Sequence, residues 1–330
     1  MTGPAIFSTH PLHPQVAAAL AEIGPLTVAS APDPDAILAE SAGARFVVVR
    51  APIPEALVAR EPGLSALVRH GAGLDMIPVD AATRAGVLVA NVPGANARTV
   101  AEHVIWSAMA LLRRYPAVCA DLAAGGWEAG RAHAPRGREI SGRVLGVVGM
   151  GNVGRALAGM AARGFGMEVL CHTRSPDAAP PGVTPVPLTE MLAAADIVAL
   201  CCPLTEATRG LIGAAELAAM RPGAVLVNVA RGPVVDQAAL LEALGSGHLG
   251  GAALDVFDGQ PLPRDHPLIG RPDVIATPHM AGITEESMRR MGEGVVAEIR
   301  RIAAGRLPEN LVNPDAVPAW RARLARSGRT

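Results

Sequence analysis

The sequence predicts an α/β fold of two domains, each a parallel sheet layered with helices, the second domain inserted in the smaller first. Three observations predict it. The chain has 330 residues, 50% of them hydrophobic, which is enough for two cores. Short apolar runs alternate with helical stretches through both halves, the pattern of β-α-β units. Near the midpoint, a buried strand passes through a glycine turn straight into a helix and opens a second series.

In the first domain, strands are expected over residues 5–7, 45–50, 64–69 and 87–91. A helix over 14–23 carries Val16, Leu20 and Ile23 on one face. The strand over 64–69 ends in His70-Gly71-Ala72-Gly73-Leu74-Asp75. A long helix follows over 97–114, with Val100, Val104, Ala108 and Leu111 at helical spacing. Glu102 lies in its first turn, Pro116 is its expected stop, and it is the candidate hinge between domains. Residues 121–141 are rich in Gly, Arg and Ala and carry Trp127; they read as an extended arm, either surface loop or subunit contact. From Arg143 the second series places strands over 168–172, 197–201, 224–229, 251–255 and 274–277, with a helix over 237–244. A helix over 284–304 is expected to pack back on the first domain, trailed by Asn310-Leu311-Val312-Asn313-Pro314. The expected domains are therefore 1–98 plus 284–330, and 99–283.

The second series opens on a turn with its own chemistry. Leu145 to Val148 form an apolar run broken only by Gly146; Gly149, Gly151 and Gly154 then spell G-x-G-x-x-G, and a helical segment follows over 155–163. The first glycine makes the tight turn, the second lets backbone approach a pyrophosphate, and the third lets helix and strand pack closely. A diphosphate would sit on the exposed N–H groups of the helix N-terminus. An ordinary Gly-rich turn is the other reading; the strand before and the helix after favour the nucleotide.

Composition narrows the function further. Formal net charge is −1, aromatics make up 2%, and there is no basic tract, which argues against a nucleic-acid partner. No apolar run reaches the length of a membrane span, and Met1-Thr2-Gly3-Pro4 does not open a charged-then-apolar signal, so a cytoplasmic protein is expected. All 29 basic residues are arginine. That removes a P-loop lysine, a Schiff-base lysine and a lysine base, and leaves cationic chemistry to Arg and His. Cys119, Cys171, Cys201 and Cys202 lack C-x-x-C spacing and read as small buried hydrophobes in a reducing compartment. Cys201 and Cys202, adjacent on one expected strand, should point to opposite faces. There is no metal motif such as H-E-x-x-H.

Three later patterns carry candidate chemistry. Val227-Asn228-Val229-Ala230-Arg231-Gly232-Pro233-Val234-Val235-Asp236 ends a strand and presents Arg231 at its carboxyl tip. A guanidinium there can hold a carboxylate with two parallel hydrogen bonds. The others are Ala253-Leu254-Asp255-Val256-Phe257-Asp258-Gly259-Gln260-Pro261-Leu262 and Thr277-Pro278-His279-Met280-Ala281-Gly282. Histidine is the side chain suited to move a proton near neutral pH. Taken singly, Arg231 also reads as a surface or ion-pair arginine and His279 as a structural histidine. Together with His70 to Asp75, Val100-Ala101-Glu102-His103, the glycine motif and Cys202-Pro203-Leu204-Thr205, these patterns resemble the D-isomer-specific 2-hydroxyacid dehydrogenase family over nearly the whole chain.

The resemblance implies a Rossmann-like cofactor domain inserted in a flavodoxin-like substrate domain. It implies reduction of a small 2-oxo acid, of the glyoxylate or hydroxypyruvate type, to the D-2-hydroxy acid. Arg231 would grip the substrate carboxylate and polarise the 2-oxo group. His279 would donate the proton in reduction and remove it in oxidation, with Gln260 beside it, while nicotinamide delivers hydride to C2. Backbone N–H groups of Ala72 and Gly73 would hold the carboxylate from the first domain, with Arg50 and Asn96 facing the cleft. Cofactor contacts would fall on Gly149, Met150, Gly151, Asn152, Val153 and Gly154; on Thr173, Arg174 and Ser175; on Cys202, Pro203 and Thr208; on Val229 and Ala230; and on Asp255, Ala281 and Gly282. A homodimer is expected, through the Val100 helix and the Trp127 arm, and no metal is needed.

Two departures from the family pattern matter. Most members carry Glu at the position of Gln260, paired with the catalytic histidine. Gln can orient the ring but supplies no charge to stabilise imidazolium, so His279 should lose its proton at lower pH. Formate dehydrogenases of the superfamily also carry Gln here, with a long N-terminal extension that this sequence does not show. 3-Phosphoglycerate dehydrogenase is a competing assignment, without a regulatory domain after the returning helix. A catalytically weak, nucleotide-dependent interaction protein is the rival from another class. Second, NAD-specific members place an Asp at the position of Thr173 to bind the ribose hydroxyls. Here the run is His172-Thr173-Arg174-Ser175. No acid repels a 2′-phosphate, Arg174 can pair with it, and Thr173 and Ser175 can donate hydrogen bonds, so NADP(H) is favoured over NAD(H). A solvent-facing loop arginine is the alternative for Arg174.

Overall fold

The computed structural model describes residues 3–326. Met1, Thr2 and 327–330, at the outer ends of the expected first domain, lie outside the described residues. The chain divides into two compact units, Met1–Asn96 with Ile283–Thr330, and Ala97–Gly282.

The first unit opens with β1 (Ile6–Ser8), α1 (Pro14–Ala21), β2 (Leu26–Val28), α2 (Pro34–Glu40), β3 (Phe46–Val49), α3 (Glu55–Arg60), β4 (Ala66–Arg69), α4 (Val79–Arg84) and β5 (Leu88–Ala90). The five strands are parallel in the order β2-β1-β3-β4-β5, the flavodoxin-like arrangement. β3 and β5 are apolar throughout and buried because both their faces are covered. Phe46 and Val48 of β3 pack with Val16, Leu20 and Trp320 on one face, while Val47 and Val49 pack with Ile37 and Leu57 on the other.

The second unit begins with α5 (Ala97–Leu112) and α6 (Tyr115–Arg131), then β6 (Val144–Val148), α7 (Asn152–Phe165), β7 (Glu168–His172), β8 (Val183–Pro185), α8 (Leu188–Ala194) and β9 (Ile197–Leu200). It continues with α9 (Ala214–Ala219), β10 (Val225–Asn228), α10 (Gln237–Gly245), β11 (Gly251–Leu254) and β12 (Val274–Ala276). Its seven strands are parallel in the order β12-β11-β10-β9-β6-β7-β8. The chain winds one way from β6 to β8 and the other way from β9 to β12. The switch point therefore lies between β6 and β9, where open sheets of this kind bind ligands.

The chain then returns to the first unit as α11 (Glu285–Ala303) and α12 (Val317–Arg326). A Cβ on Gly292 would lie 2.3 Å from Cγ2 of Val16, so glycine lets α11 seat against α1. The connecting segment is pinned along β5 by Asn313, whose Oδ1 accepts the Val89 N–H at 2.7 Å and whose amide donates to Val87 O at 3.0 Å. Trp320 is buried and donates from Nε1 to Ser65 Oγ at 2.9 Å. No helix among the described residues is long and apolar enough to cross a membrane.

Four local expectations are corrected. Cys119, expected as a small buried hydrophobe, is exposed because it lies on the solvent-facing side of α6. Pro116 does not stop α5: the chain turns at Arg114 (φ 57°), and Pro116 lies in the first turn of α6, where its missing N–H leaves no bond unmade. Residues 121–131 are not an extended arm but continue α6, which breaks at Gly126 (φ 76°); the Ala-rich stretch keeps its helix propensity on either side, and Gly125 and Gly130 are absorbed. Cys201 and Cys202 lie beyond the end of β9, so strand alternation does not govern them; Cys202 is buried and Cys201 half-buried.

Candidate functional site

The glycine turn joins β6 to α7, and its three glycines meet three different surroundings. Gly149 has φ 95°, and a Cβ there would lie 2.8 Å from the backbone N of Cys202. A Cβ on Gly154 would lie 2.2 Å from Gly149 O, so this glycine is what lets the helix close on the strand end. A Cβ on Gly151 would meet nothing within 4 Å. Its lack of a side chain therefore serves no packing within the chain, which fits a position that lets backbone approach a diphosphate. α7 has no side-chain cap and no acid in its first turn, so the N–H groups at Asn152 and Val153 keep their donor capacity for an anion. Met150 is buried beneath the turn.

β7 lies next to β6 and ends at His172, with Gly149 N donating to His172 O at 2.9 Å. Thr173 follows half-buried, and Arg174 and Ser175 are exposed. No carboxylate pairs with Arg174 among the described residues. Arg155, next to Gly154, donates to Ala178 O at 2.7 Å and ties down the segment after Ser175. After β9, Thr208 Oγ1 donates to Pro203 O at 2.7 Å and accepts Thr205 N–H at 2.8 Å, which fixes the Cys202-Pro203 turn.

Arg231 and His279 stand on loops after β10 and β12, and both loops are anchored by buried polar groups. Asn228, 1% exposed, accepts Ala230 N–H at 3.0 Å and donates to Arg231 O at 3.0 Å. Arg231 Nη1 donates to Ala230 O at 2.7 Å. A Cβ on Gly232 would fall 1.9 Å from the Phe257 carbonyl carbon, so the Arg231 loop packs directly on the loop that carries Gln260. Asp255, 3% exposed, accepts Thr277 Oγ1 at 2.7 Å and Met280 N–H at 2.8 Å on Oδ1, and Ala281 N–H at 2.9 Å on Oδ2. Its carbonyl accepts His279 N–H at 2.9 Å. His279 is exposed, has φ 53°, and meets Gln260 Oε1 through Nδ1 at 3.2 Å. The neutral tautomer with Nδ1–H donating to Oε1 turns Nε2 into the proton-transfer nitrogen. His103 of α5 lies near Asp255; burial lowers its pKa, and the Asp255 charge partly offsets that.

The structure thus gathers Gly149 to Gly154, the Thr173 segment, Cys202, Pro203, Thr208, Val229, Ala230, Arg231, Asp255, Gln260, His279, Ala281 and Gly282 in one unit, all at or just beyond the carboxyl ends of its strands. Arg50, Ala72, Gly73 and Asn96 belong to the other unit. There the glycine loop after β4 is held by Arg69 Nε donating to Gly73 O at 3.0 Å and by Asn91 Nδ2 donating to Ala72 O at 2.9 Å. Asn228, Gly232, Thr277, Arg69 and Asn91 were not singled out from the sequence. Each acts by holding a loop, and nothing in residue type or spacing marks that.

A family model described as D-isomer specific 2-hydroxyacid dehydrogenase, NAD binding domain, matches residues 105–281. D-3-phosphoglycerate dehydrogenase of Methanocaldococcus jannaschii is 35% identical over 319 residues, 95% of this chain but 60% of that protein, so the chain spans less than two thirds of its length. (S)-sulfolactate dehydrogenase of Chromohalobacter salexigens is 41% identical over 271 residues, 80% of this chain and 86% of that protein. The crystal structure of an NADPH-dependent glyoxylate/hydroxypyruvate reductase from Sinorhizobium meliloti with NADP and malonate superposes with a TM-score of 0.82 at 29% identity, covering 96% of this chain and 98% of that one. The chain belongs to the D-isomer specific 2-hydroxyacid dehydrogenase family.

Proposed function

We propose that the protein reduces a small 2-oxo acid of the glyoxylate or hydroxypyruvate type to the D-2-hydroxy acid with NADPH. The observation that carries this is the His279–Gln260 contact, on a loop anchored by buried Asp255 and beside the Arg231 loop. Arg231 binds the substrate carboxylate and draws charge from the 2-oxo oxygen. His279 holds the proton at Nε2 and gives it to that oxygen as the alcohol forms; in oxidation it takes the proton back. Gln260 orients the ring. Ala72 and Gly73 offer backbone N–H groups, and Arg50 and Asn96 side chains, as the first unit's share of substrate binding. The bound nicotinamide supplies the hydride; the glycine turn, Thr173, Arg174, Ser175, Cys202, Pro203, Thr208, Val229, Ala230, Asp255, Ala281 and Gly282 are its proposed contacts. Thr173 in place of an acid, with exposed Arg174 beside it, supports NADP(H) over NAD(H).

The reading carries with it a cytoplasmic homodimer. Trp106, Met109, Tyr115, Leu122 and Trp127 are large exposed apolar groups on α5 and α6, which supports contact between copies through these helices. The test is loss of nicotinamide absorbance when purified protein meets NADPH and a panel of glyoxylate, hydroxypyruvate, 3-phosphohydroxypyruvate and 3-sulfopyruvate. The last two are the 2-oxo forms of the substrates named for the relatives. Turnover that His279→Ala abolishes is expected. Silence across the panel would leave a nucleotide-dependent interaction protein, for which the missing Glu at position 260 argues.

A further inference from the structure

The amino edge of the second unit's sheet lies opposite the strand ends that carry the glycine turn, Arg231 and His279. It gathers arginines that the proposed chemistry does not use. Arg143 directly precedes β6, Asp196 directly precedes β9, and Gly223 lies two residues before β10. These strands are neighbours in the sheet, in the order β10-β9-β6. Asp196 Oδ1 pairs with Arg143 Nη1 at 3.4 Å and with Arg221 Nη1 at 3.2 Å, while its Oδ2 accepts the Val144 N–H at 3.1 Å. Arg138 reaches across this edge, with Nη2 donating to Gly223 O at 2.6 Å. Its backbone N–H donates to Leu112 O at 2.9 Å, which brings the end of α5, and Arg114 after it, alongside.

Positive charge is in excess here. Among the described residues, Asp196 is the one carboxylate paired with any of Arg114, Arg138, Arg143 and Arg221. Burial lowers the Arg138 pKa, and the Arg143 and Arg114 charges lower it further against the opposing Asp196 charge. Arg114 is half-buried, and its side chain makes no hydrogen bond or ion pair among the described residues. Its Nε is buried without a partner. A buried donor without an acceptor and crowded like charges both disfavour the folded state. An anion supplies the acceptor and the opposing charge together. A guanidinium fork matches a pair of phosphate oxygens. Donors that arrive from two separate segments, the end of α5 and the chain before β6, suit a tetrahedral oxyanion better than a planar carboxylate. One acid against four arginines leaves room for a dianion.

We propose that Arg114 and Arg138, backed by Arg143, form a binding site for a dianionic oxyanion of the phosphate class at the amino edge of the second unit's sheet. Arg114 and Arg138 donate hydrogen bonds to the anion, and Arg143, held by Asp196, adds charge. The bound anion ties the end of α5 to the starts of the central strands. The oxyanion is either the free ion or the phosphate group of an ester. The site does not rest on the function proposed above.

Calorimetric titration of the full chain with inorganic phosphate tests the site, with NADPH in excess to fill the anion position at the glycine turn. Arg114→Gln should weaken phosphate binding about tenfold or more. That side chain makes no bond within the chain, and the left-handed backbone at residue 114 (φ 57°) strains Arg and Gln alike, so the variant should fold as the native protein does. Arg114→Lys, which keeps the charge without the fork, should fall between the two. Arg231→Gln, at the candidate active site, should leave phosphate affinity unchanged. Phosphate should raise the melting temperature more than chloride at equal ionic strength in the native protein and in Arg231→Gln, and not in Arg114→Gln. Absence of phosphate binding by the folded protein, affinity indifferent to Arg114→Gln, or affinity lost in Arg231→Gln instead overturns the proposal. The source is read by repeating the titration with methyl phosphate. Affinity equal to that of the ion assigns the site to a phosphate ester, and affinity about tenfold weaker assigns it to the free ion. If no 2-oxo acid is reduced while Arg114-dependent phosphate binding persists, the proposed function fails and the anion site stands.

Discussion

His279 holds a left-handed backbone conformation (φ 53°) that a non-glycine residue adopts only when its surroundings impose it. Such a conformation costs about 1–3 kcal/mol. Asp255 outweighs that, since each of its three carboxylate hydrogen bonds to the 277–281 loop contributes about 1.5–3 kcal/mol. The ring is thus held from two sides, by its own backbone and by Gln260. Because Gln260 is neutral, Gln260→Glu should stabilise the imidazolium and raise the His279 pKa. The pH at which reduction falls off should move up by about one unit, and a pH–rate profile with the limb unmoved would refute this. At the cofactor end, Arg174→Asp puts a negative charge where a 2′-phosphate is proposed to lie. NADPH kcat/KM should fall about tenfold or more relative to NADH, and equal losses with both cofactors would count against the assignment. Arg231, His279 and Arg174 could be named as candidates from the sequence, because charge and proton chemistry reside in residue type. The anchors Asn228 and Asp255 were not legible in that role, because an Asn or Asp at a strand end looks the same whether its side chain faces solvent or a neighbouring loop.

At the scale of elements, the β6–α7 junction separates packing from binding. Gly154→Ala forces a methyl to 2.2 Å from Gly149 O, so the helix must move. Overpacking of this kind costs about 1–3 kcal/mol, readable in a denaturant titration, and dinucleotide binding should weaken with it. Gly151→Ala meets no atom within 4 Å and has φ −78°, which alanine adopts freely. Stability should hold within about 1 kcal/mol, while the Kd for NADPH rises about tenfold or more. Loss of stability in Gly151→Ala, or unchanged affinity, would refute that division. Elements buried on both sides were legible: β3, β9 and β10 lie within a residue or two of expectation because four or five consecutive apolar residues have few other fates. The short edge strands β2 and β8 carry exposed residues and only three positions each, so pairing with a neighbour defines them more than composition does. The α6 segment failed for the opposite reason. Its glycines suggested a loop, yet the helix absorbs Gly125 and breaks only at Gly126.

For the whole molecule, the cofactor should act as a stabiliser of the unit that holds it. A ligand at a hundredfold excess over its Kd adds about 2.7 kcal/mol to the folded state. NADPH should therefore raise the melting temperature more than NADH at the same concentration, and the Arg174→Asp variant should lose the difference. Equal shifts with both in the native protein would argue against a 2′-phosphate preference. By itself, the sequence determined the two parallel-sheet series, the dinucleotide turn and the family, since periodicity, glycine spacing and residue chemistry are local properties. Tertiary structure decided what depends on residues distant in the chain. It decided the sheet order, with β9 beside β6 and β1 beside β3. It decided that Asp255 secures the His279 loop across 22 to 26 residues. It also decided that Arg143, Asp196 and Arg221, which no motif joins, meet at the starts of neighbouring strands. Side-chain hydrogen bonds and buried charges are set by which strands lie side by side, and a linear pattern does not carry that order.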